Sequence, residues 1–291
     1  MNFIKYYWLY FLLSALVIVP GMLSLIFNGV KPSIDFTGGS ELELQFAQEV
    51  NVAKVETIAR EQFATATVQS PDQVRVLVRT ETLENEKKNT FVAALTTEFG
   101  AVEVLRFETI GPSLSAELLR KTFVAVGIVA VVITLYIARQ FKEWKYGICA
   151  VLAMLHDSLV LIGIFSLLGY FLQVEVDVLF VTAVLTTLSF SVHDTIVVYH
   201  RIRELQHKHR STSIEELLNS AVTATVTRSL NNSLTIILML TALALLGGES
   251  IRWFAVALLI GAVTGTYSST CTAVPLLYVW EKWRSKKPHT N

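Results

Sequence analysis

The chain has 291 residues, of which 53% are hydrophobic and only 16% charged, with a mean hydropathy of +0.52. That balance excludes an ordinary soluble domain of this size and points to an integral membrane protein. The formal net charge is zero, but the charges are segregated along the chain, so the sum gives no sign of a nucleic-acid partner. Cys149 and Cys271 both fall in apolar segments, which excludes a disulfide framework or a cysteine metal-ligand spacing and leaves two free, buried thiols.

Residues 6–27 form an uncharged run of about 22 residues, enough at ~1.5 Å per residue to cross a hydrocarbon core of ~30 Å. Lys5 ahead of it would suit a secretory signal, but the run exceeds the usual apolar region of one and no small-residue cleavage site follows. A retained membrane helix is expected, bent or loosened at Pro20 and Gly21. From residue 28 to about 115 the composition becomes that of a soluble domain. Residues 40–46 (SELELQF) and 73–79 (QVRVLVR) alternate as strands, 66–69 forms a short strand and 102–109 (VEVLRFET) a final one. Helical spacing marks 52–63, through Val52, Val55, Ile58, Ala59 and Phe63, and 82–99, which stops at Gly100. Ser70, Pro71 and Asp72 make a turn. The order β-α-β-β-α-β is the split βαβ arrangement of a ferredoxin-like α+β domain. Such a domain binds or docks; Glu41, Glu43, Arg75 and Arg79 are expected at solvent-facing strand positions.

After Gly111 and Pro112 come five further apolar runs, at about residues 122–138, 146–170, 178–199, 229–246 and 251–280. The expected architecture is therefore a polytopic α-helical membrane protein of six transmembrane helices. Residues 1–27 hold the N-terminus and helix 1, 28–115 the ferredoxin-like domain, and 116–291 helices 2–6. Arg139, Lys142 and Lys145 lie between helices 2 and 3; Arg201, Arg203, Lys208 and Arg210 follow helix 4; Lys282, Arg284, Lys286 and Lys287 follow helix 6. The other short connections carry Glu175 and Asp177, or the single Arg252. By the positive-inside rule both termini and the basic loops are cytoplasmic, and the domain between helices 1 and 2 lies on the opposite face. In the basic loop at about 200–220, Ser213 followed three residues later by Glu216 is a capping-box signature. A short helix there leads into the fifth span, separate from it or continuous with it.

The stretch 185–204, LTTLSFSVHDTIVVYHRIRE, carries Asp194 well before its charged exit. A carboxylate at that depth is costly, which makes it a functional-site candidate in search of a partner. Asp194 shares a helix face with Thr187, Ser191 and Arg201, and the seven residues to Arg201 put it ~10 Å inside the cytoplasmic edge. His156 and Asp157 fall ~15 Å in from Lys145, at comparable depth. Arg228 is the natural counter-charge if the fifth helix begins near residue 220; if it begins at 229, Arg228 is one more positive-inside residue. A carboxylate beside an arginine stays ionised, whereas one desolvated without it takes up a proton, so a pair that opens and closes is a proton-binding switch. A static buried salt bridge that fixes helix packing is the alternative. Gly261 and Gly265, in GxxxG spacing ahead of several Ser and Thr residues, suit close helix packing. His193 and His200 lie beside the acidic stripe, where a metal site lacks a third ligand and a proton relay is secondary.

These residues resemble the SecF branch of the SecD–SecF protein-export family, within the resistance-nodulation-division superfamily, over nearly the whole chain. The resemblance is carried by IDFTGG at 34–39, GP at 111–112 with EL at 117–118, LHD at 155–157, DTIVV at 194–198 with RIRE at 201–204, and GTYSS at 265–269. It implies a bacterial inner-membrane subunit that pairs with a SecD-type subunit into a twelve-helix whole. That assembly acts beside a SecYEG-type translocon channel and uses the proton motive force to help move a preprotein. Protons are then the coupling ion, with no cofactor, metal or nucleic acid and no catalysed reaction. The resemblance further implies Asp194 as the proton-carrying carboxylate and Arg228, in TVTRS at 225–229, as its intramembrane partner, with His156 and Asp157 beside them. The chain departs from the family pattern where His193 replaces a usual Asn, His200 a usual Asp and Ser189 a frequent Gly. Half of a lipid or small-molecule exporter, and a non-transporting assembly scaffold, are the rival functions.

Overall fold

Among the described residues, six helices are long and apolar enough to cross a membrane: Ile4–Asn28, Pro112–Ile137, Trp144–Leu172, Val178–Lys208, Ile214–Leu246 and Ser250–Arg284. The structure, a computed structural model, describes residues 2–70, 73–141, 143–208 and 212–285. Pro71 and Asp72 of the expected turn, Lys142 and Arg210 of the basic loops, and Lys286 and Lys287 of the tail lie outside them. The chain divides into two compact units, one built from Met1–Lys31 with Ala125–Asn291, the other from Pro32–Val124.

In the membrane unit, α1 (Tyr7–Asn28) runs through Pro20 as one helix. It buries Ser14, Gly21 and Ser24 while Leu12, Leu16, Leu23, Ile26 and Phe27 stay exposed, the reverse of a soluble amphipathic helix. The outward leucines suit acyl chains, and the inward small residues let backbones meet. A methyl group on Gly21 would sit 2.8 Å from the Cα of Gly163 on the third span, α6 (Trp144–Leu172), so the two helices touch backbone to backbone there. Ser24 and Ser166 hydrogen-bond one turn along, at 2.8 Å.

The remaining spans are α5 (Pro112–Gln140), α7 (Val178–Lys208) and α8 (Ile214–Leu246), then a sixth made of α9 (Glu249–Ser268), a π-helical turn at Ser269–Ala273 and α10 (Val274–Ser285). Helix α8 is one 33-residue rod. The Ser213 hydroxyl caps it by accepting from the Glu216 N–H at 3.3 Å, so the helix expected in the basic loop is continuous with the fifth span. The π turn widens the sixth span, and the Tyr199 hydroxyl donates to the Ala273 carbonyl there at 2.9 Å. Tyr199, Tyr146 and Phe141 meet as a buried aromatic cluster that ties α6 to α7.

The second unit holds α2 (Ile34–Thr37), β1 (Gly39–Phe46), α3 (Val52–Gln62), β2 (Ala66–Gln69), β3 (Arg75–Thr80), α4 (Asn85–Phe99) and β4 (Val102–Ile110). The sheet order is β2-β3-β1-β4 with every pairing antiparallel, the split βαβ topology. One face of β1, Leu42, Leu44 and Phe46, packs with Val55 and Ala59 of α3 and Phe91 and Leu95 of α4. Gly38 and Gly39 both take positive φ, and a Cβ on Gly39 would lie 2.5 Å from the Thr80 carbonyl oxygen, so the paired glycines are needed where the chain enters the sheet. The other sheet face corrects an expectation. Glu41 is only 8% exposed and pairs with Arg79 across the β1–β3 ladder at 2.6 Å, while Arg75 approaches Glu43 at 3.9 Å. Alternation alone puts these residues on the polar face; the antiparallel register turns them into cross-strand ion pairs that shield one another from water.

Candidate functional site

His156 and Asp157 sit on α6 inside a network that draws on three spans. Asp157 is fully buried, with one carboxylate oxygen 2.8 Å from His156 Nδ1 and the other accepting from the Ser268 hydroxyl at 2.6 Å. The His156 Nε2 faces the Tyr267 hydroxyl at 3.3 Å, and that hydroxyl also bonds Ser14 of α1. A carboxylate removed from water needs its lone pairs filled, and an imidazole plus a hydroxyl fill them. Ser14, Tyr267 and Ser268 were not among the residues the sequence singled out for the site. For Tyr267 and Ser268 the signal lies in GTYSS, which carries the family resemblance but whose spacing after the GxxxG step speaks for bundle packing.

Asp194, on α7, is surrounded differently. It is 8% exposed and, among the described residues, forms no hydrogen bond or ion pair. Asp194 lines a small cavity of about 20 Å³ with Phe190 and His193 of α7, Asn232, Ser233 and Ile236 of α8, and Ala262, Gly265 and Thr266 of α9. A space of that size holds one water. By helical rise, Asp194 and His156 each lie ~24 Å from the Val178 and Leu172 ends of their helices, so the two polar centres share a depth.

Arg228 belongs to α8 itself, since that helix starts at Ile214, and is therefore part of the helical span rather than of a loop. It does not touch Asp194. Its exposed side chain lines a separate cavity of about 650 Å³ with Val197, His200, Arg201, Glu204, Ala224 and Thr225. The register between α7 and α8 explains the separation: Asn232 and Ser233, one turn beyond Arg228, stand at the level of Asp194, and the guanidinium meets α7 one to two turns further along. The expected ion pair is thus open in this structure.

Gly261 and Gly265 bring α9 onto α7. A Cβ on Gly261 would fall 2.1 Å from the Thr187 hydroxyl oxygen, and one on Gly265 3.3 Å from the Ser191 backbone. Thr187 and Ser191, which share the Asp194 face in sequence, therefore lie beneath the sixth span, and the Thr187 hydroxyl is satisfied by the Ala183 carbonyl at 2.8 Å. His193 is exposed and reaches the Asp194 cavity; His200 bonds the Gln140 side chain at 2.9 Å.

The profile of the family described as "Protein export membrane protein SecD/SecF, C-terminal" matches residues 90–283, and that of the "SecD/SecF GG Motif" matches residues 23–50. The protein translocase subunit SecF of Thermobaculum terrenum is 40% identical, over 96% of this chain and 94% of its own length. That of Anaerolinea thermophila is 37% identical, over 98% and 96%. The crystal structure of SecDF from Thermus thermophilus, titled a translocon-associated membrane protein, superimposes with a TM-score of 0.87 at 32% identity. The match covers 97% of this chain and 39% of that one, so the chain spans well under half of the SecDF polypeptide. A sequence that places a GG-motif entry, a split βαβ domain and six spans in this order, and that aligns end to end with SecF subunits, belongs to the SecF branch of the SecD/SecF protein-export family.

Proposed function

We propose that this chain is the SecF-type half of an accessory machine of the Sec translocase, in which proton movement through the membrane unit promotes preprotein translocation. Its partners are a SecD-type subunit, a SecYEG-type channel and the emerging preprotein. It lies in the bacterial inner membrane with both termini and the basic connections cytoplasmic and the sheet domain outside, the orientation that the loop charges favour. It couples protons to motion without a cofactor and without covalent catalysis.

The observation that carries this is Asp194, buried in a membrane span, with no lysine or arginine paired to it among the described residues, and lining a space for one water. A carboxylate so placed takes up a proton, and an approaching guanidinium expels it. Arg228 is that guanidinium: a displacement of about one helical turn, ~5.4 Å, brings the two to one level. The hydrogen-bonded His156–Asp157 pair, at the same depth in the bundle, is the second proton-coupling unit.

In proteoliposomes holding the chain, its SecD-type partner and the channel, Asp194→Asn leaves assembly intact and abolishes the proton-gradient-dependent part of preprotein translocation. Full gradient stimulation by that variant would sink the proton-carrier assignment. Proton flux into the same vesicles without preprotein separates a transporting machine from an assembly scaffold, which conducts none.

A further inference from the structure

The Asp194 cavity has one other titratable lining residue. Of the other residues that line it, Phe190, Ile236, Ala262 and Gly265 are apolar or small and Asn232, Ser233 and Thr266 carry neutral polar groups, whereas His193 brings an imidazole, a side chain that can both accept and donate a proton. His193 also differs from Asp194 in position: it is exposed on the outer side of α7, while the carboxylate is buried. Among the described residues neither of its ring nitrogens is engaged in a hydrogen bond or ion pair. His193 thus both lines the cavity and is exposed at the surface of the bundle.

The charged groups of the packed elements are committed elsewhere. From α6, His156 and Asp157 are held by one another and by Tyr267 and Ser268. Helix α8 offers Arg228, which opens into the neighbouring cavity beside His200, Arg201 and Glu204 of α7. What α9 supplies to the Asp194 cavity, Ala262, Gly265 and Thr266, is apolar or hydroxyl-bearing.

We propose that His193 is the relay through which Asp194 exchanges its proton with the outside of the bundle. The exchange runs through the single water for which the cavity has room. The imidazolium gives its N–H proton to that water as the water passes one of its own to the carboxylate oxygen. Neutral imidazole and a carboxylic acid result, and the reverse sequence unloads the site; no electron or other reactant takes part. This rests on the proton-carrier assignment of Asp194 and adds the route by which that residue is reached.

The test uses the full chain with its SecD-type partner in vesicles containing a pH-reporting dye, at low buffer strength under an imposed pH gradient. His193→Asn, the residue that the resembled family usually carries here, conserves polarity and approximate size but removes the exchangeable proton. It slows proton flux by about tenfold, less than the ~10²–10⁴ of an acid–base group lost with no substitute, because water supplies a slower path. His193→Ala slows it at least as much and recovers when free imidazole is added to the buffer, while imidazole leaves the unsubstituted protein unchanged. A structural role for His193 gives no such recovery. Wild-type flux in both variants, or slow flux in His193→Ala without recovery together with normal flux in His193→Asn, overturns the relay and leaves Asp194 untouched. Flux that persists in Asp194→Asn removes the carrier assignment beneath it, and imidazole-stimulated flux in that variant shows a leak and overturns the relay as well. Should His193→Ala fail to fold, His193→Asn decides alone.

Discussion

Two carboxylates at one depth in the membrane have opposite surroundings, and the difference sets what each residue does. Asp157 is fully buried with a partner on each oxygen, so its charge state is bound to a fixed set of neighbours. Asp194 has room for one water and, among the described residues, no hydrogen-bond or ion-pair partner, which leaves it free to change state. Removing a partner from Asp157 is therefore a stability change: Ser268→Ala strands one buried carboxylate oxygen and costs about 1–3 kcal/mol. A lowered thermal midpoint in detergent is the expected result. Equal stability would mean that the oxygen finds another donor. Sequence spacing placed both acids at comparable depth, because helical rise is fixed. It did not separate them, since Ser268, which fills the second Asp157 oxygen, lies 111 positions away and is brought there only by the fold.

At the scale of elements, small residues decide which helices touch. Gly261 and Gly265 were legible as a packing step from their spacing alone, yet nothing in that spacing named Thr187 and Ser191 of α7 as what they pack on. Gly21 and Gly163 were less legible still, because each is a single glycine with no repeat to mark it. The two contacts differ in what blocks a side chain. At Gly261 the obstacle is the Thr187 side chain; at Gly163 it is the backbone of Gly21, 2.9 Å from the added carbon. Gly261→Ala should thus lose stability and regain part of it when Thr187 is shortened to Ala, which removes the hydroxyl and methyl but leaves the Cβ 2.9 Å away, a coupling that a double-mutant cycle reads directly. Gly163→Ala has no such remedy: α1 must move off α6, at a cost of about 1–3 kcal/mol typical of overpacking, and the neighbouring Ser24–Ser166 bond goes with it. Recovery of Gly163→Ala by a shorter residue elsewhere on α1 would show that the contact is less tight than the backbone approach implies.

The whole molecule is two units with separate cores, one built to lie in lipid and one to lie in water, and the sequence shows this division through composition before any motif is considered. The strands, helices and order of the water-exposed unit were likewise readable, because alternation and helical spacing report burial on one face. Its ion pairs were not, since Glu41 and Arg79 become neighbours only through strand register. The same unit carries an acid-sensitive feature outside the membrane. Glu81 follows β3, and its slight burial acts to raise its pKa. That effect is outweighed by hydrogen bonds from the backbone N–H groups of Thr65 and of Glu81 itself and from the Thr65 and Thr80 hydroxyls, which bring the pKa from 4.5 down to about 2. A group whose folded pKa is lowered contributes stability that is fully present above its unfolded value and is lost as pH falls through its folded one. The sheet unit should therefore loosen as pH drops from about 4.5 towards about 2, by protonation of a carboxylate that clasps the start of β2 to the end of β3. Hydrogen exchange of the full chain, corrected for the pH dependence of intrinsic rates, reads this as faster exchange in β2 and β3 across that window. Glu81→Gln removes part of the pH dependence and lowers protection at neutral pH. The aromatic cluster of Phe141, Tyr146 and Tyr199 is held by ring contacts, with the carboxylates near it, Glu143 and Glu281, paired to Lys145 at its edge, so amides of α6 and α7 packed on the rings should keep more protection over the same range than those of β2 and β3. Loss of protection in both units at a single pH would mean that the two cores unfold together.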